Sequence, residues 1–224
     1  MDFNEEKIIK ICSESIIFRN IDKNIIKNFL DLIVYKVIFF KKGQLIIRED
    51  EYIDSIWLIL SGEVNSCKYS SNGNEILLSK LEDHEVLGLD ITCTRSKKSL
   101  YDVYASKPSF LLKFDYNLFH REDVLPAKYK LLIYENIIEC IANNNAKQLH
   151  KIEIISQKSI RDKIMTYLLI QKNNKNTNKF EISFDRDQLA NYLCINRSVL
   201  SHELSLMQQE GLIKFKKNEF EIFE

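Results

Sequence analysis

The chain has 224 residues, of which 45% are hydrophobic and 29% charged, and its formal net charge at pH 7 is zero. This length suits one large domain or two modest ones, and the composition is typical of globular proteins. No apolar stretch reaches the roughly 18 residues that a membrane span requires. Because the acidic start of the chain also lacks the pattern of an export signal, we expect a cytoplasmic protein with no membrane partner.

The cysteines and acidic residues give no sign of a metal centre or of catalysis. Cys12, Cys67, Cys93, Cys140 and Cys194 are scattered along the chain, without C-x-x-C pairs or histidines at metal-ligand spacing. Such a set is typical neither of a disulfide framework nor of a zinc or iron–sulfur site. We expect reduced, packed thiols, no metal, no cofactor and no catalytic residue. Redox sensing by one cysteine is the alternative that stays open.

The first half of the chain predicts two helices followed by a β-barrel. Apolar periodicity indicates two short helices between residues 5 and 33, with a break near Arg19. Short runs rich in β-branched and aromatic residues then predict strands at 37–40, 45–47, 56–60, 64–69, 76–78, 86–87, 100–105 and 110–114. Asn72 and Gly73, both tolerant of positive φ, predict a type I′ hairpin turn. Many short strands at similar spacing are typical of a barrel or jelly roll.

A long apolar pattern from Pro126 to about Ile155 predicts a single helix. A helix of about 30 residues is about 45 Å long, which exceeds what a small domain needs. A heptad seam consists of Leu131, Tyr134, Ile138, Ile141, Asn145, Gln148 and Ile152. This pattern favours a parallel coiled coil at a homodimer interface, in which Asn145 would fix the register. The alternative is a helix that packs only on its own barrel.

The last part of the chain predicts a helix-turn-helix. Ser159 begins a helix that runs to about Gln171, and a polar loop at 173–179 leads to a strand at 180–184. Asp185 and Gln188 form a capping box for a short helix whose buried side is Leu189, Ala190 and Leu193. A turn at 194–195 and a second helix capped by Asn196 complete the motif.

The second helix of this motif carries the candidate DNA-contacting residues. These are Asn196, Arg197, Ser198, Ser201 and His202. Arginine bonds guanine or phosphate, serine and histidine give shorter hydrogen bonds, and a helix N-terminus favours phosphate. After Gly211, segments 212–215 and 219–223 predict a hairpin wing. Lys214, Lys216 and Lys217 would meet the DNA backbone there. The alternative is a helical hairpin used for protein contacts.

From about residue 15 to its end the chain resembles the cyclic-AMP receptor protein/fumarate–nitrate reduction regulator (Crp/Fnr) family. The resemblance rests on Lys42-Gly43, on residues 56–64 and 73–78, on Gly88 and Ala105, and on the segment 185–213. It implies an α+β protein with a cyclic-nucleotide-binding-like jelly-roll barrel (1–125), a dimerisation helix (126–156) and a winged helix-turn-helix (157–224). The implied partners are a second copy of the chain, a palindromic double-stranded operator, RNA polymerase and a small-molecule effector. An effector sensed in the barrel would reorient the DNA-binding domains.

The departures from the family pattern concern the effector. Members that bind cyclic AMP carry Gly-Glu-Leu and a later Arg-Ser pair, which hold the ribose and the cyclic phosphate. The candidate pocket here reads Gly88, Leu89, Asp90, Ser99 and Leu100. A buried cyclic phosphate needs cations or several donors, so we expect an effector other than cyclic AMP, apolar or aromatic in character, or none.

Individual cysteine and histidine residues bear on three further properties of the family. An iron–sulfur cluster is not expected, because Cys12 is the sole N-terminal cysteine. Haem ligation by Cys93, His84 or His120 stays open. His202 stands where the family commonly has arginine, which predicts a different operator or an affinity that responds to pH.

Overall fold

A computed structural model describes residues 3–121 and 123–223. Its contacts divide the chain into two compact units, the first comprising Met1–Lys68 and Ser79–Asn144, the second Tyr69–Leu78 and Asn145–Glu224. None of the helices in the described ranges combines the length and the apolar character needed to cross a bilayer.

The first unit begins with helices α1 (Glu5–Glu14) and α2 (Lys23–Leu32), and a 3₁₀ turn separates them where a break was predicted. A jelly-roll barrel follows, made of two four-stranded sheets in the orders β1-β8-β3-β6 and β2-β7-β4-β5. The strands are β1 (Tyr35–Phe40), β2 (Leu45–Ile47), β3 (Ser55–Ser61), β4 (Glu63–Tyr69), β5 (Glu75–Glu82), β6 (Val86–Leu87), β7 (Asp102–Ala105) and β8 (Ser109–Asp115). The short helix α3 (Leu89–Thr92) follows β6.

Strand β3 is buried on both faces. Trp57 and Ile59 pack into the core between the two sheets. Ile56 and Leu58 point to the other face, where they join the core formed with α1 and α2. A strand covered on both sides reads as a continuous apolar run rather than an alternating one, which explains the sequence of residues 56–60.

The hairpin between β4 and β5 forms as predicted, but its turn is not of type I′. Gly73 has a φ of +78°, whereas Asn72 is not among the residues with positive φ. The Gly73 N–H donates to the Ser70 carbonyl at 2.9 Å, and the Ser70 N–H donates to the Asn74 carbonyl at 2.9 Å. The loop is therefore longer than two residues, so only its last position needs the left-handed conformation.

The tip of this hairpin, Tyr69–Leu78, belongs to the second unit. Leu77 is fully buried in that unit's apolar core. The Lys151 ammonium donates to the Leu77 carbonyl and lies 4.7 Å from the centre of the Tyr192 ring. Asn191 Nδ2 donates to Glu75 Oε1 at 3.1 Å. Burial penalises the charged ammonium and lowers the pKa of Lys151 to about 8.

The long helix α4 (Ala127–Ile155) ends in the second unit, where the remaining elements follow it. They are α5 (Ile160–Lys175), β9 (Lys179–Glu181), α6 (Arg186–Leu193), α7 (Arg197–Gln209), β10 (Ile213–Lys216) and β11 (Glu219–Ile222). The three strands form one sheet in the order β10-β11-β9.

Two predicted boundaries in this unit were wrong. Helix α5 continues past Gln171 to Lys175, because its C-cap, Asn176, adopts the left-handed conformation that ends a helix. Strand β9 is shorter than predicted and stops at Glu181.

The docked hairpin yields a prediction about stability. Leu77→Ala should lower the free energy of unfolding by about 2–5 kcal/mol, because it leaves a cavity in an apolar core. Leu100→Ala is the matched control: that side chain is 71% exposed, and its loss should cost less than about 0.5 kcal/mol. Denaturant titration of the purified chain measures both. Equal costs for the two variants would contradict the docking.

Candidate nucleic-acid interface

Helix α6 begins at the predicted capping box. Asp185 Oδ1 accepts from the Gln188 N–H at 2.8 Å, and Gln188 Oε1 accepts from the Asp185 N–H at 2.9 Å. The buried side of the helix is the predicted set, Leu189, Ala190 and Leu193. Cys194 then turns the chain with a φ of +55°. These local features leave three residues, 194–196, between the end of α6 and the start of α7.

Helix α7 has one buried and one exposed face. Leu200, Leu204 and Met207 are fully buried. The candidate DNA-contacting residues Asn196, Arg197, Ser198, Ser201 and His202 are all exposed. Asn196 is at the N-cap but makes no capping hydrogen bond, so its amide adds to the polar groups at this end of the helix. The structure thus brings the predicted set together on one surface.

A carboxylate missed by sequence reasoning lies next to this surface. Asp187 Oδ1, in the first turn of α6, is 3.3 Å from Arg197 Nε. Both side chains are 64% exposed, and an ion pair in water contributes little to stability. Arg197 can therefore exchange this partner for a phosphate or a base edge.

Arg186 connects the helix-turn-helix to the wing and was also missed. Its guanidinium carbon lies 5.1 Å from the centre of the Phe215 ring and 6.0 Å from that of Phe220. Its Nη2 donates to the Lys217 carbonyl at 3.3 Å. Burial, followed by the nearby charge of Arg197, lowers the pKa of Arg186. These cation–π contacts attach the wing to the first turn of α6.

The wing forms as predicted, and its three lysines are exposed. The strand register sets Lys214 opposite Glu221 and Lys216 opposite Glu219. Lys217 occupies the turn with a φ of +55°. Because an opposite charge across the ladder interacts favourably, the wing offers DNA less positive charge than its lysines alone suggest.

The residues predicted to line an effector pocket do not form an apolar wall. Leu89 is buried in the core shared with the N-terminal helices, whereas Leu100 is exposed to solvent. Ser99 is fully buried, and its hydroxyl donates to the Tyr101 carbonyl at 2.6 Å. The two leucines therefore do not share one apolar surface, because their side chains lie in different environments.

Gly88 and Asp90 have structural partners. Gly88 has a φ of +94°, and a Cβ atom there would lie 3.1 Å from the Ser55 carbonyl oxygen. The Asp90 carboxylate accepts a hydrogen bond from the Tyr101 hydroxyl. Burial, followed by the Asp90 charge, raises the pKa of Tyr101.

Helix α4 carries an exposed apolar stripe. Leu131, Ile138, Leu149 and Ile152 are 62%, 66%, 60% and 55% exposed. Asn145 and Gln148 of the predicted seam are exposed as well. Tyr134 and Ile141 instead pack partly against the core of the first unit. The helix therefore combines a face used inside its own chain with a face that is free in one copy of the chain.

The cysteine and histidine residues form no ligand set within residues 3–121 and 123–223, where no three possible metal ligands cluster. Cys93 Sγ lies 3.4 Å from the Tyr116 hydroxyl. His120 Nδ1 is hydrogen-bonded to the Tyr134 hydroxyl at 2.9 Å, and His84 faces Glu14 at 3.4 Å. Cys12, Cys67 and Cys140 are buried and take part in no disulfide within the described residues.

Comparison with known proteins explains this arrangement. Residues 37–122 match the profile of the cyclic nucleotide-binding domain, and residues 162–223 match that of the Crp-like helix-turn-helix domain. The chain belongs to the Crp/Fnr family of transcription regulators. The two matches take in most of the chain, in the order in which the Crp/Fnr architecture arranges its parts.

Individual Crp/Fnr relatives are distant. The transcriptional activator protein Anr of Pseudomonas protegens is 22% identical over 200 residues, which are 87% of this chain and 80% of that protein. A Crp/Fnr transcriptional regulator from Eubacterium rectale is 23% identical, with a TM-score of 0.57 and 92% of each chain covered. A CooA variant from Carboxydothermus hydrogenoformans is 16% identical, with a TM-score of 0.70, covering 100% of this chain and 93% of that one.

Proposed function

We propose that this regulator acts as a homodimer that binds a palindromic operator, with the exposed face of α7 reading bases in the major groove. The observation that carries the proposal is the division of α7, whose apolar face is fully buried while Arg197, Ser198, Ser201 and His202 all face solvent. A recognition helix needs this division, because the groove admits the polar face only if the other face is held by its own domain.

The chemistry of the exposed face suits specific contacts. An arginine side chain bonds guanine O6 and N7 with two parallel hydrogen bonds. Serine and histidine are shorter and need the helix to lie close to the base edges. The wing lysines and the N-terminus of α7 contribute phosphate contacts, which position the protein without reading sequence.

The stripe on α4 is the proposed dimer interface. Ile138 follows Leu131 by seven residues, and Asn145 follows after another seven. Leu149 and Ile152 then come four and seven residues after Asn145. An exposed stripe of this kind is stabilised when a second copy covers it. A two-fold dimer presents two α7 helices, so we expect half-sites whose centres are about 34–36 Å apart.

We propose that the effector is not cyclic AMP. The Asp90 carboxylate would repel a cyclic phosphate, Leu100 offers no donor, and the Ser99 hydroxyl is already used by the Tyr101 carbonyl. The effector's identity stays open between a small molecule of other chemistry and none. RNA polymerase is the further partner expected for a cytoplasmic regulator of this kind.

The first test concerns the recognition face. Arg197→Ala should weaken binding to an operator selected from random DNA by about 1–3 kcal/mol and relax selectivity at one position, if the guanidinium reads a base. Lys216→Ala is the matched control: losing one phosphate contact in each protomer of the dimer should weaken all duplexes alike and reduce the salt slope by about 1.8. Fluorescence anisotropy over a salt series measures both. An unchanged operator preference in Arg197→Ala would exclude base reading by this residue.

The dimer proposal predicts that Ile138→Glu dissociates the chain. A carboxylate in an apolar seam would face its own copy across the two-fold axis, where burial and repulsion both oppose association. Asn143→Glu is the control, since Asn143 is exposed on α4 but lies off the stripe. Sedimentation equilibrium should show a monomer for the first variant and a dimer for the second. A dimeric Ile138→Glu would contradict this interface.

The effector proposal predicts no measurable heat when cyclic AMP is titrated into the purified chain at concentrations up to about 1 mM. The reason is the local chemistry, since Ser99 and Leu100 stand where cyclic-AMP-binding members of the family carry their Arg-Ser pair, and neither side chain is a cation. Saturable binding in the micromolar range would overturn this account of the barrel.

A further inference from the structure

A single arginine links the first helix of the DNA-binding unit to the recognition helix. Arg161, the second residue of α5, has its Nε 2.6 Å from Glu203 Oε1 on α7. Its Nη1 and Nη2 donate to the two oxygens of Glu210 at 2.6 Å and 2.9 Å. All three nitrogens of the guanidinium are therefore engaged with α7 and its C-cap residue, Glu210.

The spacing of the two carboxylates makes this contact directional. Glu210 is the C-cap residue of α7 and follows Glu203 by seven positions, so the two carboxylates lie about two helical turns apart. The planar guanidinium offers its donors in a fixed fork. A fork that holds both carboxylates restricts the rotation of α7 about its axis and its sliding along that axis.

The apolar core determines which face of α7 is buried, and the ion pairs add a directional restriction to it. Leu200, Leu204 and Met207 attach α7 to its unit through contacts that have no directional preference. Hydrogen bonds between charged groups are directional and short. Glu203 also directly follows His202 in sequence, so its anchoring fixes the backbone from which a candidate base contact extends. The hydrogen bond from Arg161 lowers the pKa of Glu210 and favours the ionised form that the fork requires.

The position of Arg161 in the chain also connects the end of α4 with α7. Helix α5 begins at Ile160, immediately after the short connection from α4. Arg161 thus lies in the first turn after that connection, where Ser159 caps the helix by accepting from the Asp162 N–H. A change in the direction of this first turn would reach α7 through the guanidinium without passing through the other elements of the unit.

We propose that Arg161 is a positioning residue for operator recognition: by bridging Glu203 and Glu210 it sets the orientation of α7 in which Ser198, Ser201 and His202 reach base edges together. The inference rests on the proposed DNA-binding function and adds the residue that determines its specificity. Arg161 itself touches no base in this account.

The test compares Arg161→Lys with Arg19→Lys in the full-length chain. Lysine keeps the positive charge but cannot hold two carboxylates with a fixed fork. Arg19 is the matched control, since its guanidinium makes a two-point pair with Glu139 in the first unit. Affinities are measured for the selected operator and for an unrelated duplex of equal length, over a salt series, together with the urea midpoint of each variant.

We expect Arg161→Lys to bind the operator about tenfold more weakly, the size of one lost base contact. Its affinity for the unrelated duplex should stay within about twofold of the wild-type value, since no phosphate contact is lost. For the same reason, its salt slope should stay within about 0.3 of the wild-type slope. Glu210→Gln should reduce the operator preference in the same direction, and Arg19→Lys should leave it unchanged.

Two results would overturn the proposal. If Arg161→Lys keeps the wild-type ratio of operator to unrelated affinity while its urea midpoint falls, Arg161 only stabilises the fold. If both affinities fall together with a reduced salt slope, Arg161 contacts phosphate instead. If the wild-type chain itself prefers no duplex, the proposed DNA-binding function is refuted. That result is distinct from the two above, which refute only the role of Arg161.

Discussion

The function of this chain depends on the burial of one face of α7. Leu200, Leu204 and Met207 have no exposed surface, and burying side chains of this size contributes about 1.5–3 kcal/mol each. Because a helix repeats every 3.6 residues, fixing these three positions turns Ser198, Ser201 and His202 away from the core, whereas Arg197 is exposed as the first residue of the helix. The polar face needs no further device to reach solvent. It follows from the period of the apolar residues on the other side.

Electrostatic contacts then refine what the core establishes. The chain carries no net charge, yet DNA recognition requires only local cations on one surface. Here most of those cations have protein partners: Arg197 faces Asp187, Arg186 lies over two wing rings, and two of the three wing lysines stand opposite glutamates. Non-specific attraction to phosphate is reduced by these pairs. Discrimination between sequences therefore depends more on the geometry of α7 than on total charge.

The sequence predicts the features that local rules determine. The capping box at Asp185, the buried side of α6 and the ends of α4 follow from residues within a few positions of each other. The contacts that it does not predict join distant residues: Arg161 and Glu203 are 42 positions apart, and Lys151 and Leu77 are 74 apart. Neither pair has a spacing signature. The exposure of Leu100 was missed for the same reason, because a side chain's environment depends on which strands surround it.

The central claim is that the exposed face of α7 reads bases, and a change of specificity tests it most directly. Random duplexes are selected with the wild-type chain and with His202→Arg, under identical salt. The account predicts a palindromic motif for both proteins, differing at one symmetric pair of positions where the variant selects guanine, because arginine forms the two-point contact that histidine cannot. An identical motif for both proteins, or no palindrome for the wild type, would contradict it.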